Sequence, residues 1–243
     1  MSLKYQSEEP EPAAEPPAQQ FTPPVPVYTV ILIAGIAAVF LAQLAVGIDQ
    51  SAELAGFDKP ALLLNHQYWR ILTGATTHGS ILHVFMNCYA FYSFGRIFEM
   101  LANRAHLAIV FLGSAIAGGI LSLIFVPDGL SVGASGGIVG LIGYLAVYAF
   151  KRRKFVSPQF RKSLLINIGF ILIFGLALYQ VIDNYGHIGG LIFGVLYGLV
   201  QIPSDEYVDP RAASPVTRFA GLTALGIYLA GCVFSILKIF RVV

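Results

Sequence analysis

The chain has 243 residues, of which 56% are hydrophobic and only 12% charged, with a mean hydropathy of +0.73 and a formal net charge of +2. That is too little polar surface to cover a water-soluble globule, so the composition specifies an integral membrane protein. The basic residues sit between apolar runs instead of on one folded face, which argues against a nucleic-acid partner, and Cys88 and Cys232 lie in separate apolar runs with neither disulfide-framework nor metal-ligand spacing.

Residues 1–27 hold seven of the 13 prolines and several glutamates. Such a segment cannot bury enough apolar surface to offset its ordering entropy and is expected to be disordered. An acidic, proline-rich stretch ahead of a full-length apolar run is unlike a secretory signal, so the first run is expected to persist as a helix. Seven apolar segments follow, at 28–48, 80–100, 105–126, 135–150, 163–182, 187–202 and 217–239. On the side of the amino terminus lie Lys4, Arg96, Arg104, Lys151, Arg152, Arg153, Lys154, Arg161, Lys162, Arg211 and Arg218, which is 11 of the 15 Lys and Arg. The other side has Lys59, Arg70, Lys238 and Arg241. The positive-inside rule therefore predicts a cytoplasmic amino terminus and an external carboxyl terminus.

In this orientation the even-numbered segments run from outside to inside, and Ser135, His187, His78, His83 and Asn87 all fall in their outer halves. The fourth and sixth segments span only 16 residues each. At about 1.5 Å per residue they cover roughly 24 Å of a hydrocarbon core of about 30 Å. Both then begin below the outer surface at one shared level, where irregular backbone survives only by lining a protein-walled, wet cavity. Gly186, Gly190, Gly194 and Gly198 recur every fourth residue, opposite the small surface of Gly136, Gly140 and Gly143. Such ridges are ordinary membrane packing, but here the close approach would also bring Ser135 to His187.

A serine between Gly133 and Gly136 at a helix start, facing a histidine, has the parts of a nucleophile and its base. His83 and Asn87, four apart, share one helix face; they could donate to one oxygen or simply tie helices together. Ser114 and Ser122 read as residues that bond back to their own turns or pack as small side chains, and His66 and His106 as facing solvent or head groups. No His-Glu-x-x-His motif is present, and Asp183 is the lone acid near a helix edge, so zinc and two-aspartate proteases lack their residues. No segment carries a lysine mid-way along the seventh helix for retinal, and neither inverted repeats nor midplane charges point to a transporter or channel.

Together, Trp69-Arg70, His78-x4-His83-x3-Asn87, Glu99, Gly133-Ala134-Ser135-Gly136 and the run from Asp183 through His187 to Gly190 resemble the rhomboid serine proteases of membranes. The resemblance covers 28–202 and implies an all-α, polytopic membrane helix bundle with seven transmembrane helices, a six-helix core plus one. The implied division is a cytoplasmic tail at 1–27, a catalytic domain at 28–202, and a linker with an additional helix at 203–243. The implied activity is serine endopeptidase cleavage of single-span transmembrane proteins at or near the outer face, within the lipid bilayer of a bacterial inner membrane. Ser135 would be the nucleophile, His187 the general base and then acid, and the Ser135 N–H with His83 and Asn87 the oxyanion site. His78 would support the water-filled entrance, with Gly133 and Gly136 shaping the turn. Asp183, four residues before His187, could be read as the orienter of a triad, although a dyad needs no third acid. The first outer loop, 49–77, would lie partly embedded as a wedge. Val139 stands where many members carry an aromatic ring against the histidine. No motif calls for a metal, nucleotide or other cofactor. A rhomboid-like protein that binds membrane clients without cleaving them is the alternative.

Overall fold

Each of the seven apolar segments forms a helix in the computed structural model, which describes residues 25–178, 180 and 182–243. The chain runs through α1 (Val27–Val46), α2 (Ile48–Ala55), β1 (Phe57–Asp58), α3 (Lys59–Asn65), α4 (Arg70–Thr73), α5 (Ile81–Leu101), α6 (Arg104–Phe125), β2 (Leu130–Ser131), α7 (Ser135–Lys151), α8 (Pro158–Ala177), α9 (Asn184–Gln201) and α10 (Pro215–Ile239). Residues 1–24, and with them nearly all of the segment expected to be disordered, lie outside the described residues; Val27 already belongs to α1. By length and composition α1, α6, α8 and α10 can each cross a membrane, and α7 is a shorter apolar helix. Helices α5 and α9 are diluted by His83, Asn87, Arg96 and Glu99 and by Asn184 and His187.

Local chemistry sets most helix starts. Ser80, Asn103, Ser157, Asp183 and Ser214 each accept a backbone N–H of the following turn, and Pro158 and Pro215 occupy first-turn positions where no amide donor is needed. This places α8 five residues earlier than hydropathy suggested: Ser157 Oγ accepts the Phe160 N–H at 3.1 Å, drawing Arg161 and Lys162 into the first turn. Helix α7, like α1, α2 and α4, has no side-chain cap, because Ala134 precedes it.

Helix α7 forms the centre of the bundle, buried along most of its length against α6 and α9, whereas α8 leans on the edge and buries only Leu164 and Gly175. The α7–α9 seam is a backbone-to-backbone contact. A Cβ on Gly190 would lie 2.1 Å from the Gly136 carbonyl oxygen, and one on Gly194 would collide with that of Gly140, so the four-residue glycine spacing is required by the packing. The hydrogen-bonded pairing of Phe57 with Ser131 and Asp58 with Leu130 ties the first loop to the approach to α7. Arg70 braces that loop from inside, donating to the Glu53 and Gly56 carbonyls at 3.1 and 2.8 Å and to Gln67 Oε1 at 2.6 Å. Helix α10 packs behind it: Tyr228 Oη donates to the Ala75 carbonyl at 2.9 Å, and Trp69 stands edge-on to Phe234 beneath Lys238. Glu99 accepts both the N–H and hydroxyl of Thr29 at 2.7 Å, fastening α5 to α1.

Candidate active site

Ser135 is the first residue of α7 and leaves a turn that only glycine accommodates. Gly133 has φ +124°, donates its N–H to the Gly74 carbonyl at 2.9 Å, and would bring any Cβ within 2.8 Å of the His83 ring. That same point lies 3.8 Å from Ser135 Oγ, so His83 and Ser135 border one small space beside the Gly133 backbone. Because α7 has no side-chain cap, its first N–H groups stay turned toward this space.

His187 sits in the first turn of α9, and the glycine seam delivers it: its Nε2 lies 2.8 Å from Ser135 Oγ. For Nε2 to accept the hydroxyl proton, Nδ1 must carry the ring hydrogen, and Nδ1 is buried without a hydrogen-bond partner among the described residues. Asp183 does not supply that partner. One carboxylate oxygen accepts the Gly186 N–H at 2.8 Å, capping α9; the other accepts the hydroxyls of Ser122 and Ser131 at 2.5 and 2.6 Å, with Lys59 Nζ 3.9 Å away. Burial pushes the Asp183 carboxyl up, but these hydrogen bonds and Lys59 outweigh it and hold the group below its ordinary value. Asp183 therefore fixes the start of the helix that carries His187 and makes no contact with its imidazole nitrogens. Ser122 is part of that arrangement, contrary to the expected bond to its own turn or plain packing. Ser131 and Lys59 carried no local signal at all.

Asn87 lies buried one turn along from His83 and donates an amide hydrogen to the His83 carbonyl at 2.9 Å, leaving its Oδ1 without a partner. The His83–Asn87 pair thus shares a face, as the spacing required, with part of its hydrogen bonding turned inward. His78 differs from expectation. It is fully buried instead of lining an entrance, neither ring nitrogen has a partner among the described residues, and its ring stands edge-on to His83 at 5.1 Å. Burial, with His83 beside it, pushes its pKa down to about 3, so the ring is neutral at physiological pH. What places it is Gln43 of α1, whose amide accepts the His78 N–H at 2.9 Å and donates to its carbonyl at 3.0 Å.

Ser135 and His187 open onto a cleft of about 430 Å³, counting its solvent-open part, walled by Phe57 and Ile71 of the first loop and by Gly118 and Gly119 of α6. Val139 is buried one turn beyond Ser135 and brings no ring to His187. His106, expected at the surface, is buried and bonded to Tyr197 at the opposite end of the bundle; His66 is exposed, and its ring meets Tyr68.

The sequence model of the Rhomboid domain matches residues 65–204, more than half of the chain. The chain belongs to the rhomboid family. Its domain and apolar helices make this rhomboid an integral, multi-pass membrane protein. It is 33% identical over 172 residues to the rhomboid protease GluP of Bacillus subtilis (strain 168), covering 70% of this chain and 34% of that protein. It is 30% identical over 166 residues to the mitochondrial RHOMBOID-like protein 6 of Arabidopsis thaliana, covering 67% and 53%. It is also 29% identical over 139 residues to the inactive RHOMBOID-like protein 8 of the same plant, covering 57% and 40%. The chain thus spans from about a third to about half the length of these relatives.

Proposed function

We propose that this rhomboid is an intramembrane serine endopeptidase that cleaves single-span membrane proteins with a Ser135–His187 dyad. The observation that carries this reading is the 2.8 Å contact between Ser135 Oγ and His187 Nε2 at an uncapped helix start. His187 Nε2 takes the hydroxyl proton as Oγ bonds to the scissile carbonyl carbon, then gives it to the amine as the C–N bond breaks. Water, deprotonated by the same nitrogen, hydrolyses the resulting ester and frees Ser135. The developing oxyanion is held by the Ser135 N–H, the His83 ring and the second amide hydrogen of Asn87, in the space beside Gly133. His78 acts behind them as a buried wall for the His83 ring. The two glycines act by geometry alone, Gly133 by its turn and Gly136 by letting α9 approach.

The catalytic unit is 28–202, with 203–243 adding a linker and a seventh spanning helix. The cationic stretch 151–162 lies in the cytoplasm of a bacterial cell, so the site opens toward the outer face of the inner membrane. Likeness to an inactive plant protein keeps a non-cleaving, client-binding role as the second reading; Ser135 and His187 in contact favour catalysis. Reconstitution into liposomes with a fluorogenic transmembrane peptide separates the two. Turnover by the wild type and none by a folded Ser135→Ala variant is expected; equal turnover by both would refute the peptidase assignment.

A further inference from the structure

At the end of the bundle away from Ser135, α1, α6 and α10 begin side by side around a cavity of about 950 Å³, counting its open part. Arg104, Arg211 and Arg218 line it, with Tyr28, Asn103 and Leu222. Their charges are not equally available. Arg211 is already held in a two-pronged pair with Asp209, at 3.0 to 3.2 Å, and its carbonyl is pinned by Asn103 Nδ2 at 2.5 Å. Arg104 lies over the Tyr28 ring, 5.6 Å from its centre, and neither Arg104 nor Arg218 has a carboxylate partner among the described residues. One cavity therefore carries two guanidinium groups with no counter-ion among the described residues, each a planar fork suited to phosphate oxygens.

The surroundings narrow the ligand. Along α10, next to Arg218, the side chains of Val216, Phe219 and Leu222 are 77%, 73% and 59% exposed, and Leu222 reaches the cavity itself. A guanidinium pair at the helix starts, flanked by an apolar strip leading toward the bundle's middle, matches a molecule with an anionic head and hydrocarbon tails; a free inorganic anion would leave that strip unused. Hydrogen bonds place the site at the same end as the 151–162 stretch, since Lys151 donates to the Leu199 and Ile202 carbonyls and Arg152 to that of Val208. We propose that this cavity binds the phosphodiester headgroup of an anionic phospholipid, with Arg104 and Arg218 on the phosphate and the acyl chains along Val216, Phe219 and Leu222. Binding here is independent of cleavage at Ser135.

Native mass spectrometry of the full chain, titrated with dioleoylphosphatidylglycerol or dioleoylphosphatidylcholine, tests it. The expected result is one tightly retained phosphatidylglycerol per chain, with an affinity that drops about tenfold or more in an Arg104→Gln/Arg218→Gln variant of unchanged helicity. The single Arg218→Glu variant, which leaves Arg104 in place, should lose the lipid as well. Arg153→Gln/Arg161→Gln, which removes two cations from the neighbouring stretch, should retain it. Four outcomes would overturn the proposal: equal retention of both lipids; an equal loss in the Arg153/Arg161 variant, meaning diffuse attraction; displacement by inorganic phosphate as effective as by lipid, meaning a phosphate site; or a tenfold gain on removing residues 1–24, meaning that the cavity belongs to Glu8, Glu9, Glu11 and Glu15.

Discussion

The two ends of the α7–α9 pair use the same kinds of residue to opposite effect. At the end marked by Lys151, His106 contacts the Tyr197 hydroxyl through Nδ1 at 2.8 Å and the Ala212 carbonyl through Nε2 at 3.3 Å. Gln201 closes the group by donating to the Pro210 carbonyl at 2.8 Å and accepting from the Tyr144 hydroxyl. At the Ser135 end, among the described residues, the His187 ring has one partner and an orphaned Nδ1, the His78 ring has none, and Asn87 keeps an unpaired Oδ1. Buried polar groups with all their bonds made act as fasteners, and each unmade bond is a cost that a purely structural site would have no reason to carry. An unmade bond alone does not mark the site, because Thr73 Oγ1, Ser114 Oγ and Arg152 Nε are also buried without a partner among the described residues; at the Ser135 end the unmade bonds belong to His78, Asn87 and the His187 that meets the serine.

The sharpest way to break this contrast is to remove a histidine from each end. His187→Ala should lower kcat/KM by at least about 10³-fold while leaving the thermal midpoint near that of the wild type. His106→Gln should leave kcat/KM within about threefold but reduce stability by about 1–3 kcal/mol, through lost buried hydrogen bonds. Paired kinetics and thermal unfolding in one detergent check both; similar effects at the two ends would remove the distinction.

Asn87 sharpens the comparison, because it makes a bond to its own helix with one amide hydrogen and has a second that this bond does not use. If that hydrogen stabilises charge arising only in the transition state, Asn87→Ala lowers kcat by about 10²- to 10³-fold with KM little changed. An unaltered kcat with a clearly lower melting temperature would assign Asn87 to the fasteners.

Asp183, at the Ser135 end, has both carboxylate oxygens bonded, and its effect should be the smallest. Asp183→Ala removes the α9 cap and should cost about 1–2 kcal/mol at neutral pH. The sign with pH follows from its lowered pKa. The ionised carboxylate is favoured by folding, so its contribution is complete above the ordinary carboxyl value of 3.8 and fades as pH falls through the lower folded-state value. The melting-temperature gap between wild type and variant should be wide at pH 7 and narrow near pH 3. A gap that widens in acid would contradict the assigned hydrogen bonds.

What could be read from the sequence is what local spacing encodes. Apolar runs bounded by cations marked the seven helices, and the every-fourth-residue glycines from Gly186 to Gly198 marked the seam, because a close backbone approach demands small residues at that period. Ser135 and His187 were legible for the same reason, each standing at the head of a glycine-bearing helix. The supports of the site were not. Ser122 and Ser131 meet Asp183 across 61 and 52 residues, and Gln43 meets His78 across 35, contacts that depend on how helices and loops finally pack. His106 was misplaced because a histidine one turn from a helix start looks solvent-facing until the 203–214 stretch folds over it. The start of α8 was misplaced because hydropathy ignores the capping of Ser157 and Pro158, and the place of His78 because its backbone clamp lies on α1.

The central claim is that His187 activates Ser135 and no other serine. Incubation of the full chain with a fluorophosphonate probe, followed by peptide mapping, tests it without any assumption about substrate. A single adduct on Ser135 in the wild type, absent from His187→Ala and unaffected in Ser114→Ala, is the predicted result. Labelling of Ser114 or Ser122, or labelling of Ser135 at an undiminished rate in His187→Ala, would contradict it.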